Sequence, residues 1–403
     1  MKDIALSSLA RVLVIVFQLI SIKLYTNYLG AEQLGIYYFL LSVSYSANAL
    51  LFIPVDYYQQ ASLVKVMTAT GGIRPILNFN GKLAALYICF SVFMVAISAV
   101  LKPNYMVYVM LVTALAFAIY VIQALRNTLN NLEYRSCVTI SFIQEAIFKV
   151  LFFALLVQYI KASVTLLVVS WLISLVLTGC YLTYKANIYR IFLSSSTYPI
   201  CFKEVVAFSY PFSIGAVCNW LQLQGYRLIL VPLGFAEEVG IFSTLSGIGS
   251  AAIGAASLIY SQQFIPQIYK TAGQYTEKYL KGAVTVIISV AFVCLGLGEF
   301  MVKILTNPYF VQYWGLLMFG VITDSAYIIG GALVINLSIL GHTKRLIQYA
   351  WVGLASMILC FSILYFTDKI SIVTLGLPLL ISQWIGLLYM YIDYKKLAEK
   401  SSC

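Results

Sequence analysis

Ten side chains inside long apolar runs carry the chemistry this chain can offer. Arg11, Lys23, Lys149 and Arg227 are cations, Gln18, Asn219 and Gln224 are amides, and Asp56, Glu145 and Asp324 are carboxylates. A charge near the middle of a lipid-spanning helix costs roughly 2.5–3.5 kcal/mol, so it faces a cavity or a partner. Cations there are candidates to hold an anionic ligand, and amides suit hydroxyl groups. Glu145 and Lys149 stand four apart with the acid first, the favourable helical order. The pair reads either as a self-neutralising couple or as an anion ligand with a titratable neighbour. Asp324 has no cation one helical turn away, and an isolated carboxylate in low dielectric takes up a proton. It is the first candidate for ion coupling, with Glu145 and Asp56 behind it. Asp56 closes an apolar run, so a solvated helix end is its other reading. Lys23 and Arg227 have an alternative too, snorkelling to the headgroups.

These residues need elements that cross lipid. The 403-residue chain is 62% hydrophobic and 10% charged, against about 45–50% and about 25% in soluble domains. No water-soluble fold covers so much apolar side chain. Twelve windows can each cross about 30 Å of hydrocarbon as a helix. They lie near 6–28, 36–57, 83–101, 106–126, 139–160, 163–184, 207–232, 239–263, 283–304, 312–340, 346–367 and 371–394. Helices are expected because every backbone polar group must be satisfied within the segment. Lys2 and the apolar stretch after it lack a cleavage site and read as a retained first helix.

An even span count puts both termini on one side. Eighteen of the 25 Lys and Arg then fall on that side, Arg126 among them, and six on the other. This asymmetry predicts cytoplasmic termini. It also reads the net charge of +11 as topogenic, with no nucleic acid as partner. The longest inner connection, about 57–82, is too small for a catalytic domain.

The chain echoes itself near its midpoint. Leu29-Gly30-Ala31-Glu32-Gln33-Leu34-Gly35-Ile36-Tyr37 matches Leu233-Gly234-Phe235-Ala236-Glu237-Glu238-Val239-Gly240-Ile241-Phe242 at an offset of 204, or 205 after one insertion. Phe52-Ile53-Pro54 returns as Phe264-Ile265-Pro266, and Tyr181-x-x-Tyr184-Lys185 as Tyr391-x-x-Tyr394-Lys395. A six-span shift preserves orientation, so these are parallel repeats. The reading is an all-α polytopic membrane protein of twelve transmembrane helices. Two six-helix bundles, 1–198 and 199–403, would surround a central cavity and rock to alternate access. Lys23 and Arg227 occupy matching places and would approach that cavity from both halves. The run Gly247 to Ala256 would allow close helix contact, either as packing or as a moving interface.

The opening, a first span followed by Tyr28-Leu29-Gly30-Ala31-Glu32-Gln33-Leu34-Gly35-Ile36-Tyr37, resembles that of polysaccharide-exporting flippases. These belong to the multidrug/oligosaccharidyl-lipid/polysaccharide (MOP) exporter superfamily, and the likeness is greatest to its O-antigen flippase family (Wzx). The resemblance implies translocation of an undecaprenyl-diphosphate-linked oligosaccharide from the cytoplasmic to the periplasmic leaflet of a bacterial inner membrane. It implies a polysaccharide polymerase and a chain-length regulator as partners beside membrane lipids. On this reading Arg11, Lys23, Lys149 and Arg227 would meet the diphosphate, and Gln18, Asn219 and Gln224 the sugars. A drug or cation exporter of the same superfamily is the first alternative. A polysaccharide polymerase or an acyltransferase is the second.

Other chemistry has no carrier here. His342 is the single histidine, in a short basic loop, so no His-based metal or catalytic cluster is expected. No phosphate-loop motif occurs, and the Gly pattern in the eighth span is not the dinucleotide one. No cofactor is expected.

Overall fold

The computed structural model describes residues 2–189, 191–192, 200–339, 342 and 345–401. Every regular element among them is helical. In chain order these are α1 (Lys2–Tyr28), α2 (Ala31–Ala47), a π-helical turn (Asn48–Phe52), α3 (Ile53–Thr70), α4 (Arg74–Leu101) and α5 (Met106–Asn131). There follow α6 (Arg135–Tyr159), α7 (Val164–Ile188), α8 (Phe202–Leu230), α9 (Ala236–Lys270) and α10 (Thr276–Leu305). A one-turn α11 (Pro308–Val311), α12 (Leu317–Ile339), α13 (Arg345–Phe366) and α14 (Gly376–Ser401) complete the chain. Each of the twelve apolar windows overlaps one of these helices. Among the described residues, nine helices are long and apolar enough to cross a membrane.

The expected inner connection at 57–82 is itself almost all helix. α3 runs to Thr70 and α4 starts at Arg74, leaving only Gly71–Ile73 as a turn. Gly71 sits at φ 72°, which glycine reaches without strain, and its N–H closes α3 on Met67 O at 2.8 Å. The windows stopped where apolarity stopped, whereas backbone hydrogen bonding continues past the hydrocarbon into polar residues. Likewise the outer segment Leu29–Gly35 is mostly the first turns of α2. The π turn precedes Pro54, whose missing N–H cannot bond one turn back. Ile53 N–H bonds instead to Asn48 O, five residues back. In the second repeat Pro266 lies inside α9, which spans 35 residues.

The chain forms two compact units. One comprises Met1–Ser21 and Phe39–Val217, and the other Ile22–Tyr38 and Cys218–Cys403. In the first unit α7 packs on α5 and α6. Its inward stripe Leu167, Ser170, Ser174, Thr178 and Leu182 is fully buried. The three hydroxyls bond to their own helix at 2.8 Å, so they need no partner elsewhere and keep the surface narrow. Phe52 stacks on Tyr120 with centroids 4.0 Å apart, and Tyr87 meets Phe52 edge-on at 5.0 Å.

In the second unit the glycines decide how closely the helices approach. A Cβ on Gly249 would strike Leu317 O, and one on Gly320 would strike Ser246 O, so α9 and α12 touch backbone to backbone. Gly247 and Gly254, from the same small-residue run, face open space. The repeated loop motif makes a second contact of this kind. A Cβ on Gly35 would meet Ala236 O, and one on Gly240 would meet Ala31 O. Ala31 matches Ala236 and Gly35 matches Gly240 across the repeat. The contact is therefore reciprocal, a small-xxx-small crossing between the starts of α2 and α9.

Gly249→Val should drive a branched side chain into the Leu317 carbonyl and cost about 1–3 kcal/mol. Gly247→Ala should cost nothing measurable. Melting temperatures of the two purified variants in detergent check this, and equal values would refute the α9–α12 contact.

Candidate functional site

The first unit brings Arg126, Glu145 and Lys149 together between α5, α6 and α7. Arg126 on α5 is 5% exposed. Its Nη1 lies 2.8 Å from Glu145 Oε2 on α6. Its Nε and Nη2 donate to Ser141 Oγ and Ser141 O, each at 2.9 Å, and its guanidinium lies 3.9 Å from the Phe142 ring centre. The other carboxylate oxygen of Glu145 accepts the Trp171 indole N–H at 3.0 Å. Lys149 Nζ lies 4.2 Å from the centre of the same Trp171 ring. Gln144 Oε1, on the intervening turn, is buried without a hydrogen-bond partner.

This arrangement changes the sequence expectation in one respect. The ion pair of Glu145 is with Arg126 on the neighbouring helix. The apolar window that ends on Arg126 assigns it to the cytoplasmic side. α5 runs five residues further, to Asn131, and carries Arg126 into the packed part of the unit. The polar residues Arg126, Asn127 and Asn130 hid this continuation.

Asp56 belongs to a neighbouring polar layer. It accepts from Gln60 Nε2 at 2.8 Å and from Asn127 Nδ2. Asn80 on α4 links Gln59 to Tyr120, whose hydroxyl donates to Asn80 Oδ1 at 2.9 Å. Arg126 and Asn127, adjacent on α5, thus serve Glu145 and Asp56 respectively. Asp56 is half-buried and bonded.

In the second unit Arg227 lies over two rings, 5.1 Å from the centre of Tyr38 and 5.3 Å from that of Tyr226. Its Nε donates to Tyr226 Oη at 2.9 Å, and that hydroxyl meets Ser243 Oγ at 2.7 Å. Lys23, its repeat partner, does something different. Lys23 Nζ donates to Thr306 O at 2.6 Å, the carbonyl just past the end of α10. Asn307 Nδ2 returns a bond to Thr26 O at 2.6 Å. A lysine at a helix C-terminus opposes the helix dipole. Lys23 and Arg227 both fall in the second unit.

The remaining candidates divide as follows. Asn219 accepts from the Tyr327 hydroxyl, and Asp324 stands one turn before Tyr327 on α12, near Ser250 of α9. Gln224 Oε1 is buried and unpartnered. Gln18 is exposed on α1, and the side chain of Arg11 lies outside the described residues. Gln222, part of the polar face of α8, ties that helix to two others. It donates to Ala350 O on α13 at 2.8 Å and accepts from Gln383 on α14 at 3.1 Å.

No protein-family model matches this chain, and no curated protein matches it in sequence. Solved structures do match its fold. The lipid II flippase MurJ, in an inward closed conformation, aligns with a TM-score of 0.74 at 13% identity, over 98% of this chain and 87% of its own. An inward-facing multidrug resistance MATE family transporter of the MOP superfamily aligns at 0.67 and 11% identity, over 98% and 96%. A MOP superfamily transporter from Pyrococcus furiosus, described with a binding pocket of reversed polarity, aligns at 0.54 and 13%, over 98% and 96%. The chain shares its helical fold with these solved transporter structures.

Removing one member of the buried Arg126–Glu145 pair strands the other. Glu145→Ala should cost about 3–5 kcal/mol, while Arg126→Met combined with Glu145→Leu should recover most of the loss. Thermal unfolding of the three detergent-purified proteins measures both. A single variant as stable as the parent would refute the pairing.

Proposed function

We propose that the chain translocates an undecaprenyl-diphosphate-linked oligosaccharide across a bacterial inner membrane, from the cytoplasmic to the periplasmic leaflet, by alternating access. Both termini would be cytoplasmic. The observation that carries this reading is a cation lying over an aromatic ring in each of the two units. Glu145 is engaged by Arg126, and Asp56 by Asn127 and Gln60. Lys149 lies 4.2 Å from the centre of the Trp171 ring and Arg227 5.1 Å from that of Tyr38. Those two suit a diphosphate. Asn219 and Gln224 suit sugar hydroxyls. The likeness to a lipid II flippase makes a lipid-linked cargo a natural fit for the fold. The polymerase and the chain-length regulator would receive the product.

A drug or cation exporter is the second reading. It draws on the MATE likeness and on Asp324, a carboxylate in α12 near Ser250 of α9. On the first reading the same Asp324 is the candidate for proton coupling.

Lys149→Ala and Arg227→Ala should each lower flipping of a fluorescent lipid-linked oligosaccharide in proteoliposomes at least about tenfold, with insertion unchanged. Parental rates in both variants would sink the assignment. Transport of cationic dyes, with none of the lipid, would favour the exporter. Asp324→Asn should abolish any acceleration by an imposed pH gradient, and an undiminished acceleration would clear Asp324 of coupling.

A further inference from the structure

A cavity of about 620 Å³ opens on the second unit between α10 and α14, with α12 behind it. Its lining is apolar at Leu280, Val284, Ile329, Trp384, Leu387 and Leu388 and polar at Glu277, Lys281, Tyr391 and Lys395, and this polar end is taken as its mouth. The mouth is bridged by an ion pair between Lys395 and Glu277. Trp384 has given its N–H to Ile322 O at 3.1 Å, so its ring presents only an apolar surface.

The depth of these groups follows from helix geometry. Glu277 and Lys281 lie in the first two turns of α10, while Lys395 is 19 residues into α14. At 1.5 Å per residue that is about 28 Å, close to the ~30 Å thickness of hydrocarbon. The mouth therefore sits at headgroup level. Trp384, Leu387 and Leu388 lie about 10–16 Å deeper along α14. On either side the helices present exposed apolar residues, Ile288 and Phe292 on α10 and Ile392 on α14. The groove opens toward acyl chains.

We infer that this groove is a binding site for one anionic phospholipid of the surrounding bilayer, its phosphodiester between Lys281 and Lys395 and an acyl chain along Val284, Ile329, Trp384 and Leu388. Charge balance selects the occupant. Two lysines and one glutamate leave a net +1 at the mouth, which matches the single negative charge of a phosphodiester. A diphosphate would leave an excess negative charge, so the occupant is a resident lipid and not the transported one. Basic pockets between transmembrane helices with apolar floors recognise anionic headgroups in this way. The volume falls in the usual range for small-ligand sites, about 300–1,000 Å³. A seated lipid would join α10 and α14 at the same level as the Lys395–Glu277 bridge. The site itself stands on the groove, while the exclusion of the transported lipid rests on the proposed diphosphate cargo.

The test is native mass spectrometry of the full-length protein from nanodiscs holding equal amounts of phosphatidylglycerol and phosphatidylcholine. The protein should retain one phosphatidylglycerol with a preference of about tenfold or more. Lys281→Ala with Lys395→Ala should remove the preference. Val284→Trp, which fills the apolar end, should reduce retention of both lipids. Lys303→Ala, at the far end of α10, should change nothing. Equal retention of both lipids by the parent, or an undiminished preference in the double variant, would overturn the site. Displacement of the lipid by equimolar undecaprenyl diphosphate would assign the groove to the cargo tail and overturn the resident-lipid reading.

Discussion

Hydrocarbon offers no hydrogen bonds, and the rest of the structure follows from that deficit. Backbone groups are satisfied within helices, which is why the regular elements among the described residues are all helical. The same rule governs side chains. Buried serines and threonines such as Ser170, Ser174, Thr178 and Ser325 bond to carbonyls of their own helices. Amides reach across to neighbouring backbones, as Gln222 does to Ala350 and Asn336 to Gly273. The one deeply buried arginine among the described residues holds a carboxylate, a hydroxyl and a carbonyl together.

Lipid is as apolar as leucine, so helices in a bilayer associate through close packing rather than the hydrophobic effect. The glycines supply that closeness. The reciprocal crossing of Ala31 and Gly35 with Ala236 and Gly240 gives the duplicated loop motif a physical use. Each copy provides the small surface that the carbonyl of the other copy requires. A duplicated sequence thereby produces a pseudo-symmetric contact. Lys23 and Arg227 show that the symmetry is not carried further, since one caps α10 and the other rests on tyrosines.

Two kinds of cation coexist in this lipid-facing protein. Arg126 is consumed by structure, and its neutralisation by Glu145 fixes α5 against α6. Lys149 and Arg227 are held over aromatic faces, which orient a cation. On the proposed function this division separates charges that build the bundle from charges that meet cargo.

Composition and the pattern of hydropathy along the chain determined the apolar environment, the helical class and the approximate position of the apolar spans, because hydropathy and backbone satisfaction are local properties. The internal repeat and the small-residue motif were also legible, since both are written in linear spacing. Helix ends beyond the apolar windows were not. The 57–82 segment, apart from the turn at 71–73, and residues 127–131 continue as helix through polar sequence, where hydropathy carries no signal. Side-chain partners were the largest gap. The i,i+4 spacing pointed Glu145 toward Lys149, yet its oxygens meet Arg126 and Trp171 from two other helices. Spacing reports neighbours on one helix. Which helices lie alongside, and at what rotation, is fixed by packing between distant segments, and only the tertiary structure decides that.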